Sequence, residues 1–421
     1  MTNQDIQFDV AVIGGGPAGL MAAIRAAEKG ARVAIVERND NFGRKLLMSG
    51  GGRCNLTQAE FVDQQLVKKY GRNGKFLFSA LAKFGPKRLV GFFEAKGLKT
   101  KIEKNGRVFP VTDRAHDVLE ILKNILKENN VTLLTETRVD EIVCEGNQIS
   151  KLILKKGELT AHRYILATGG KSYPASGSTG NGYKWAAEMG HKIIEPKPVL
   201  VPIKTVEAWV QDVQGLSLSD VVLSLWQQNK KVYEDRGEML FAHFGITGPL
   251  VLNSSRKVSE LLHGGEVKLK IDLKPNLTIE QLDAVIQKDF EKNASKRLSN
   301  CLVSLLAPRM LELVFALSQV NTKEYASRIN RNDRKKIIKT IKELELNVSE
   351  LFGFDRAMVT SGGVSIREVD SKTMQSKLIE NLYFAGEILD LDGPTGGYNL
   401  QLCWSTGYVA GEAASDSLTF A

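Results

Sequence analysis

Residues 8–37, FDVAVIGGGPAGLMAAIRAAEKGARVAIVE, run strand, glycine turn, helix, strand and terminal acid in that order. The first strand covers Phe8 to Ile13, and Gly14, Gly16 and Gly19 follow at G-x-G-x-x-G spacing, with Gly15, Pro17 and Ala18 between them. In such a turn the first glycine permits the tight bend. The second lets a pyrophosphate approach the backbone, and the third lets the helix pack close to the strand. Leu20, Ala23, Ile24 and Ala27 then share one helical face. The helix N-terminus points free N–H groups and a partial positive charge at the phosphates. Val33 to Val36 form the next strand, which ends at Glu37 and Arg38. A carboxylate at Glu37 can accept both hydroxyls of an adenosine ribose and would repel a 2′-phosphate, which favours FAD or NAD over NADP at this turn.

A chain of 421 residues is too long for one ordinary core. Its 43% apolar and 25% charged content is that of a globular protein. No apolar run reaches the length of a membrane span, and no signal peptide is expected at the N-terminus, so a cytoplasmic location is expected. Cys54, Cys144, Cys301 and Cys403 form no C-x-x-C pair, which fits reduced thiols and excludes the dithiol of a disulfide reductase. The five histidines are scattered, so no metal site is expected. The net charge of +9 draws anionic ligands. One segment, 328–342, gathers seven Lys and Arg residues, but no interleaved aromatics accompany them. The expected partner is therefore a small-molecule substrate and not nucleic acid. Oligomeric state is not legible.

Residues 76–100 and 115–130 carry helical periodicity, and 131–168 breaks into short strands with a turn at Gly146-Asn147. Val139 follows a strand there and can lay its backbone along an adenine edge. A short helix over 183–189 precedes a β-rich stretch over 194–274. Residues 278–345 are helical, and strands return near 346–348 and 357–364. The last segment, 381–414, is strand, glycine loop and helix, and is expected to rejoin the first domain. Gly407 and Gly411 stand four apart in that helix and leave one face flat for close packing.

Three further glycine-rich loops complete the candidate site. In GRKLLMSGGGRCN, residues 43–55, the Gly50-Gly51-Gly52 run can form an anion nest, with Arg44, Lys45 and Arg53 adding positive charge and Ser49, Cys54 and Asn55 alongside. In ATGGKSYPASGSTGNGY, residues 167–183, Thr168 and Gly169 end a strand facing the dinucleotide. The irregular Gly177 to Gly182 run lacks a preceding strand and makes no second fingerprint, so any NAD(P)H would bind transiently and without a domain of its own. In GEILDLDGPTGGYN, residues 386–399, Gly386 and Glu387 are placed to meet the ribityl chain of a flavin. Gly397, Tyr398, Asn399 and Leu400 would bring a helix N-terminus to its pyrimidine end. NAD has no ribityl chain, so two distant loops converging on one fingerprint favour FAD. Catalytic candidates are His243, in a turn after a strand, and Tyr173.

The ordered set GGGPAGLMAA, GRKLLMSGGGRCN, GRVFP, GGKSYPASGSTGNGY, LFAHFGITGP, TSGGV and LYFAGEILDLDGPTGGYNLQ resembles the BaiN/YhiN family of flavoproteins. The resemblance runs from about residue 8 to residue 414, with Asn181 standing where the family usually has Asp. It implies an α/β fold: an FAD-binding Rossmann-type domain with an inserted β-barrel-like domain and a small helical domain. Here these fall at 1–193 with 355–421, 194–277 with 337–354, and 278–336. It also implies non-covalent FAD and hydride transfer between flavin N5 and a small organic substrate, by C=C reduction or amine oxidation, with NAD(P)H as a possible reductant. An RNA-modifying or RNA-binding flavoprotein is the alternative.

Overall fold

The computed structural model describes residues 7–416; the outermost residues assigned to the first domain, 1–6 and 417–421, lie outside them. The chain divides into two compact units. One is built from the residues up to Pro198 and those from Phe354 onward, and the other is Val199–Gly353.

The first unit is organised by a five-stranded parallel sheet. Its order is Leu382–Phe384, Ala161–Leu166, Phe8–Ile13, Val33–Val36 and Thr132–Leu134. The fingerprint strand is central: the chain runs outward from it through Val33–Val36 to Thr132–Leu134 on one side, and later through Ala161–Leu166 to Leu382–Phe384 on the other. This is the topological switch point of a doubly wound sheet, where a crevice opens beyond the carboxyl ends of the strands. Val10, Ala11, Val12, Ile35 and Ile165 are buried, as a sheet covered on both faces requires. Of the antiparallel meander expected over 131–168, Val139–Glu145, Gln148–Leu154 and Glu158–Leu159 are antiparallel, whereas Thr132–Leu134 and Ala161–Leu166 join the parallel sheet.

Helix Tyr398–Asp416 packs on helix Pro17–Glu28 through the flat face that the sequence provides. A Cβ at Gly407 would collide with the Ala18 carbonyl, and one at Gly411 with the Ala22 carbonyl. Buried polar groups fix the same helix against Thr57–Gln58: Trp404 Nε1 donates to the Leu56 carbonyl (3.0 Å), and Gln401 meets Thr57 Oγ1 (2.6 Å).

The second unit is a closed six-stranded antiparallel barrel in the order Ile203–Thr205, Gly245–Thr247, Lys230–Ala242, Ser217–Gln227, Lys268–Asp272 and Leu344–Leu351. Alternating residues such as Val221, Leu223 and Leu225 point inward to Met239, Phe241, Leu269 and Leu346.

Two expected boundaries shift. Residues 278–336 stand apart in sequence, yet helices Ile279–Lys292, Pro308–Ser318 and Arg331–Lys342 bury Ile286, Met310, Val314 and Ile338 in the same core as the barrel. They therefore form one unit with it. The strand Ile193–Val199, expected to open the barrel, pairs instead with Val359–Val364 in the first unit. Among the described residues no helix is long and apolar enough to cross a membrane.

Replacing Gly411 by valine forces a branched side chain into the Ala22 backbone. Overpacking of this kind costs about 1–3 kcal/mol or more, so Gly411→Val is expected to lower the first thermal transition of the purified protein, whereas an exposed Gly91→Ala is not.

Candidate functional site

The carboxyl ends of four parallel strands deliver the Gly14 turn, Glu37, the 167–172 loop and the 385–387 loop to one edge of the sheet. The fingerprint glycines divide by what a side chain would meet. Gly14 has φ +110°, and an added Cβ would lie 2.5 Å from the Ala167 carbonyl oxygen; one at Gly19 would overlap the Gly14 carbonyl. Gly16 is different: its Cβ would meet nothing within 4 Å. The first and third glycines are thus required by the fold, and the second leaves an open face at the start of helix Pro17–Glu28.

Glu37 is buried beside this turn. Its carboxylate accepts from the Gly15 amide (2.8 Å) and the Asn39 amide (2.8 Å), one on each oxygen. A carboxylate oxygen has room for a second donor, so acceptor capacity remains. Thr137 donates its amide to the Glu37 carbonyl (2.9 Å), which sets Val139 two residues beyond. Arg38 is exposed and donates to Thr179 Oγ1 (2.9 Å).

The glycine run turns through the left-handed region. Gly50, Gly51 and Gly52 have φ of +57°, +69° and +85°, and Cys54 has +61°. All three glycines are exposed, and Gly51 and Gly52 face open space. Successive N–H groups in such a run can converge on a common anion. Ser49 Oγ donates to the Leu46 carbonyl (2.6 Å) and holds the preceding turn. Asn55, with its amide oriented to satisfy both ends, donates to the Thr57 and Val108 carbonyls and accepts from the Gly397 amide (3.0 Å). That bond joins the first chain segment to the last glycine turn, where Gly396 and Gly397 have φ of +115° and +98°. Asn399 holds the same turn by donating to the Gly393 and Pro394 carbonyls, and Tyr70 Oη donates to the Tyr398 carbonyl (2.8 Å). Leu400 packs on the core one residue further.

The cations expected to add positive charge for the pyrophosphate or a substrate anion are each ion-paired with a carboxylate. Arg44 binds Asp40 (2.6 Å), and Arg53 binds Asp113 (2.7 Å) and Glu103 while lying over the Phe109 ring. Lys45 Nζ binds Glu387 (2.8 Å). Sequence reasoning missed Ser172 and Thr360, which complete the Glu387 environment; the available signals were the Gly-Gly-Lys-Ser run at 169–172 and the Thr-Ser-Gly-Gly run at 360–363.

The two catalytic candidates fall in different units. Tyr173 is half-buried at φ +51°, its amide donating to the Phe354 carbonyl (3.0 Å). An aromatic residue in the left-handed region is uncommon and marks a position held by its surroundings. His243 is exposed in the turn between Lys230–Ala242 and Gly245–Thr247, edge-on to Phe244 at 5.0 Å. Cys54 is no thiolate: burial pushes its thiol, and that of Cys403, up to about 12.

A family model described as the HI0933-like protein Rossmann domain matches residues 8–413. The chain belongs to the HI0933-like family. It is 33% identical over 411 residues to the 3-dehydro-bile acid delta(4,6)-reductase of Clostridium scindens, covering 97% of this chain and 99% of that one. It is 29% identical over 406 residues to the ribosomal RNA dihydrouridine synthase of Escherichia coli, covering 96% and 98%. Its fold is shared with 3-ketosteroid-delta4-(5alpha)-dehydrogenase from Rhodococcus jostii at a TM-score of 0.56 and 15% identity, over 99% of this chain and 98% of that one. This HI0933-like protein is an FAD-dependent oxidoreductase of the BaiN/YhiN type.

The residues present fit that cofactor. Gly16 opens onto space, the Gly50–Gly52 amides are exposed, and Thr168 Oγ1 is buried without a partner at the end of strand Ala161–Leu166, beside Gly169 at φ +72°. Gly386, at φ +81°, abuts Ala18 of the fingerprint helix, so the last loop reaches the first turn directly.

Gly16→Ala is expected to melt like the parent and to purify with at least tenfold weaker FAD binding, measured by flavin fluorescence quenching. Native protein at pH 8 is expected to leave Cys54 and Cys403 unalkylated by a maleimide, with both labelled after unfolding, as mass mapping would show.

Proposed function

We propose that this protein saturates a carbon–carbon double bond conjugated to a carbonyl. The observation that carries the reading is that two full-length relatives, a bile-acid delta(4,6)-reductase and a dihydrouridine synthase, bear names describing one chemistry. A 3-oxo group beside a Δ4 bond is an enone, and uridine becomes dihydrouridine by saturation of C5=C6, which is conjugated to the C4 carbonyl. Amine oxidation, the other branch, has no such support.

Bound FAD would supply a hydride from N5 to the β-carbon of the acceptor. The chain's own part is to hold, to shield and to deliver a proton. Gly14 to Gly19, Glu37 and the Gly50–Gly52 nest would hold the dinucleotide, with Arg38, Thr168, Gly169 and Val139 bounding the adenosine side. Glu387 and the helix N-terminus at Gly397 to Leu400 would hold the flavin end. The α-carbon must then gain a proton, and Tyr173, whose backbone is held in a disfavoured conformation next to Ser172 of the Glu387 cluster, is the proposed donor. His243 is the competing donor. NAD(P)H is the proposed reductant.

A second reading places the acceptor in ribosomal RNA, favoured by the +9 net charge and by the dihydrouridine synthase relative. The basic 328–342 segment argues for it only weakly. Four of its seven cations are paired within the unit: Arg328 with Glu324, Arg334 with Asp283, Lys336 with Asp333, and Lys342 with Asp272.

Anaerobic stopped-flow decides between these. Flavin reduced by NADH or NADPH is expected to reoxidise faster with a cyclic enone than with O₂, and Tyr173→Phe is expected to slow the enone step by tenfold or more while leaving flavin reduction unchanged. Reoxidation by an unmodified ribosomal RNA transcript but by no free enone would transfer the reading to RNA. Reduction by a primary amine would overturn both.

A further inference from the structure

The TSGGV run holds no group of the fingerprint turn, and Lys45 is bonded to a carboxylate. Both meet at Glu387. Glu387 Oε1 accepts two bonds, from Ser172 Oγ (2.7 Å) and from the Thr360 amide (2.8 Å). Glu387 Oε2 accepts from Lys45 Nζ (2.8 Å), and the same ammonium donates to Ser172 Oγ (2.6 Å). Thr360 Oγ1 then accepts from the amides of Lys171 (2.8 Å) and Ser172 (3.0 Å). Four separate segments close one ring of charge-assisted hydrogen bonds. Ser172 and Thr360 are fully buried, whereas the Lys45 and Glu387 side chains keep 24% and 14% of their surface exposed. The run itself is wedged in place: a Cβ at Gly362 would strike the Glu195 carbonyl, and one at Gly363 the Ile388 carbonyl.

A count of valences shows what remains. Oε1 is saturated. Oε2 has one lone pair left, and Lys45 has one N–H left beyond its bonds to Glu387 and Ser172. An acceptor and a donor stand side by side at 2.8 Å, and the group complementary to such a pair is a hydroxyl, which both donates and accepts. We propose that Lys45, Ser172 and Thr360 are positioning residues that present Glu387 Oε2 and one Lys45 N–H as a hydroxyl-reading pair for the polyol chain of FAD. The proposal rests on the FAD-dependent reading of the site.

Its test is a double-mutant cycle on the full chain stripped of flavin, titrated with FAD and, separately, with ADP, which has the adenosine and pyrophosphate but no polyol. Lys45→Met and Glu387→Gln are each expected to weaken FAD binding tenfold or more while leaving ADP binding within twofold of the parent. The double variant is expected to be no weaker than the worse single one, because both remove the same pair. Thr360→Ser, which keeps the hydroxyl, is expected to bind FAD like the parent, and Thr360→Val is not. Parallel loss of FAD and ADP affinity in Lys45→Met would mean general loosening and would overturn the proposal, as would additive losses in the double variant. A parent protein that binds ADP but not FAD would sink the cofactor reading itself, whereas FAD binding unchanged in Lys45→Met would sink only this inference.

Discussion

Backbone-level contact between helix Pro17–Glu28 and helix Tyr398–Asp416 is the constraint on which the site depends. The two segments are almost the full length of the chain apart, and each supplies half of the candidate cofactor cradle. They meet because Gly407 and Gly411 present no side chains to the Ala18 and Ala22 carbonyls. That approach seats Gly386 against Ala18 and lets Asn55 reach the Gly397 amide. A helix pair held at ordinary side-chain spacing, near 8–10 Å between axes, would pull the loops apart.

The pairing of cations has a consequence for anion recognition. Arg44, Lys45 and Arg53 are each held by a carboxylate. In the proposed reading, recognition of a pyrophosphate would fall to backbone groups: the amides of the Gly50–Gly52 run and the N–H groups at the start of helix Pro17–Glu28. Such donors are fixed by the fold and need no side-chain ordering on binding. The cations act one step removed, holding loops and carboxylates in place.

Local features were legible and long-range side-chain partnerships were not. The tight fits at Gly14 and Gly19, the flat face at Gly407 and Gly411, and the hairpin about Gly146-Asn147 each follow from spacing within one segment. The Lys45–Glu387 pair spans 342 positions, and a lone lysine beside a glycine nest looks like a phosphate ligand until its partner is seen. Thr360 was hidden for a similar reason: its work is done by a backbone amide and a buried hydroxyl, neither of which leaves a periodic mark. The strand Ile193–Val199 alternates like the barrel strands that follow it, so its pairing with Val359–Val364 could not be told from pattern alone. The apolar faces of the 278–342 helices showed that a core existed but not which one.

The central sheet takes its outermost strand, Leu382–Phe384, from close to the C-terminus, after the whole of Val199–Gly353 has intervened. During synthesis, strand Ala161–Leu166 must therefore wait, with one edge bare, until some 220 further residues have left the ribosome. The barrel draws all its strands from one continuous stretch, and its own longest wait, from Ile203–Thr205 to Leu344–Leu351, is shorter. The inserted unit can thus mature first, while the nucleotide-binding half remains an unfinished edge exposed to chaperones and to aggregation.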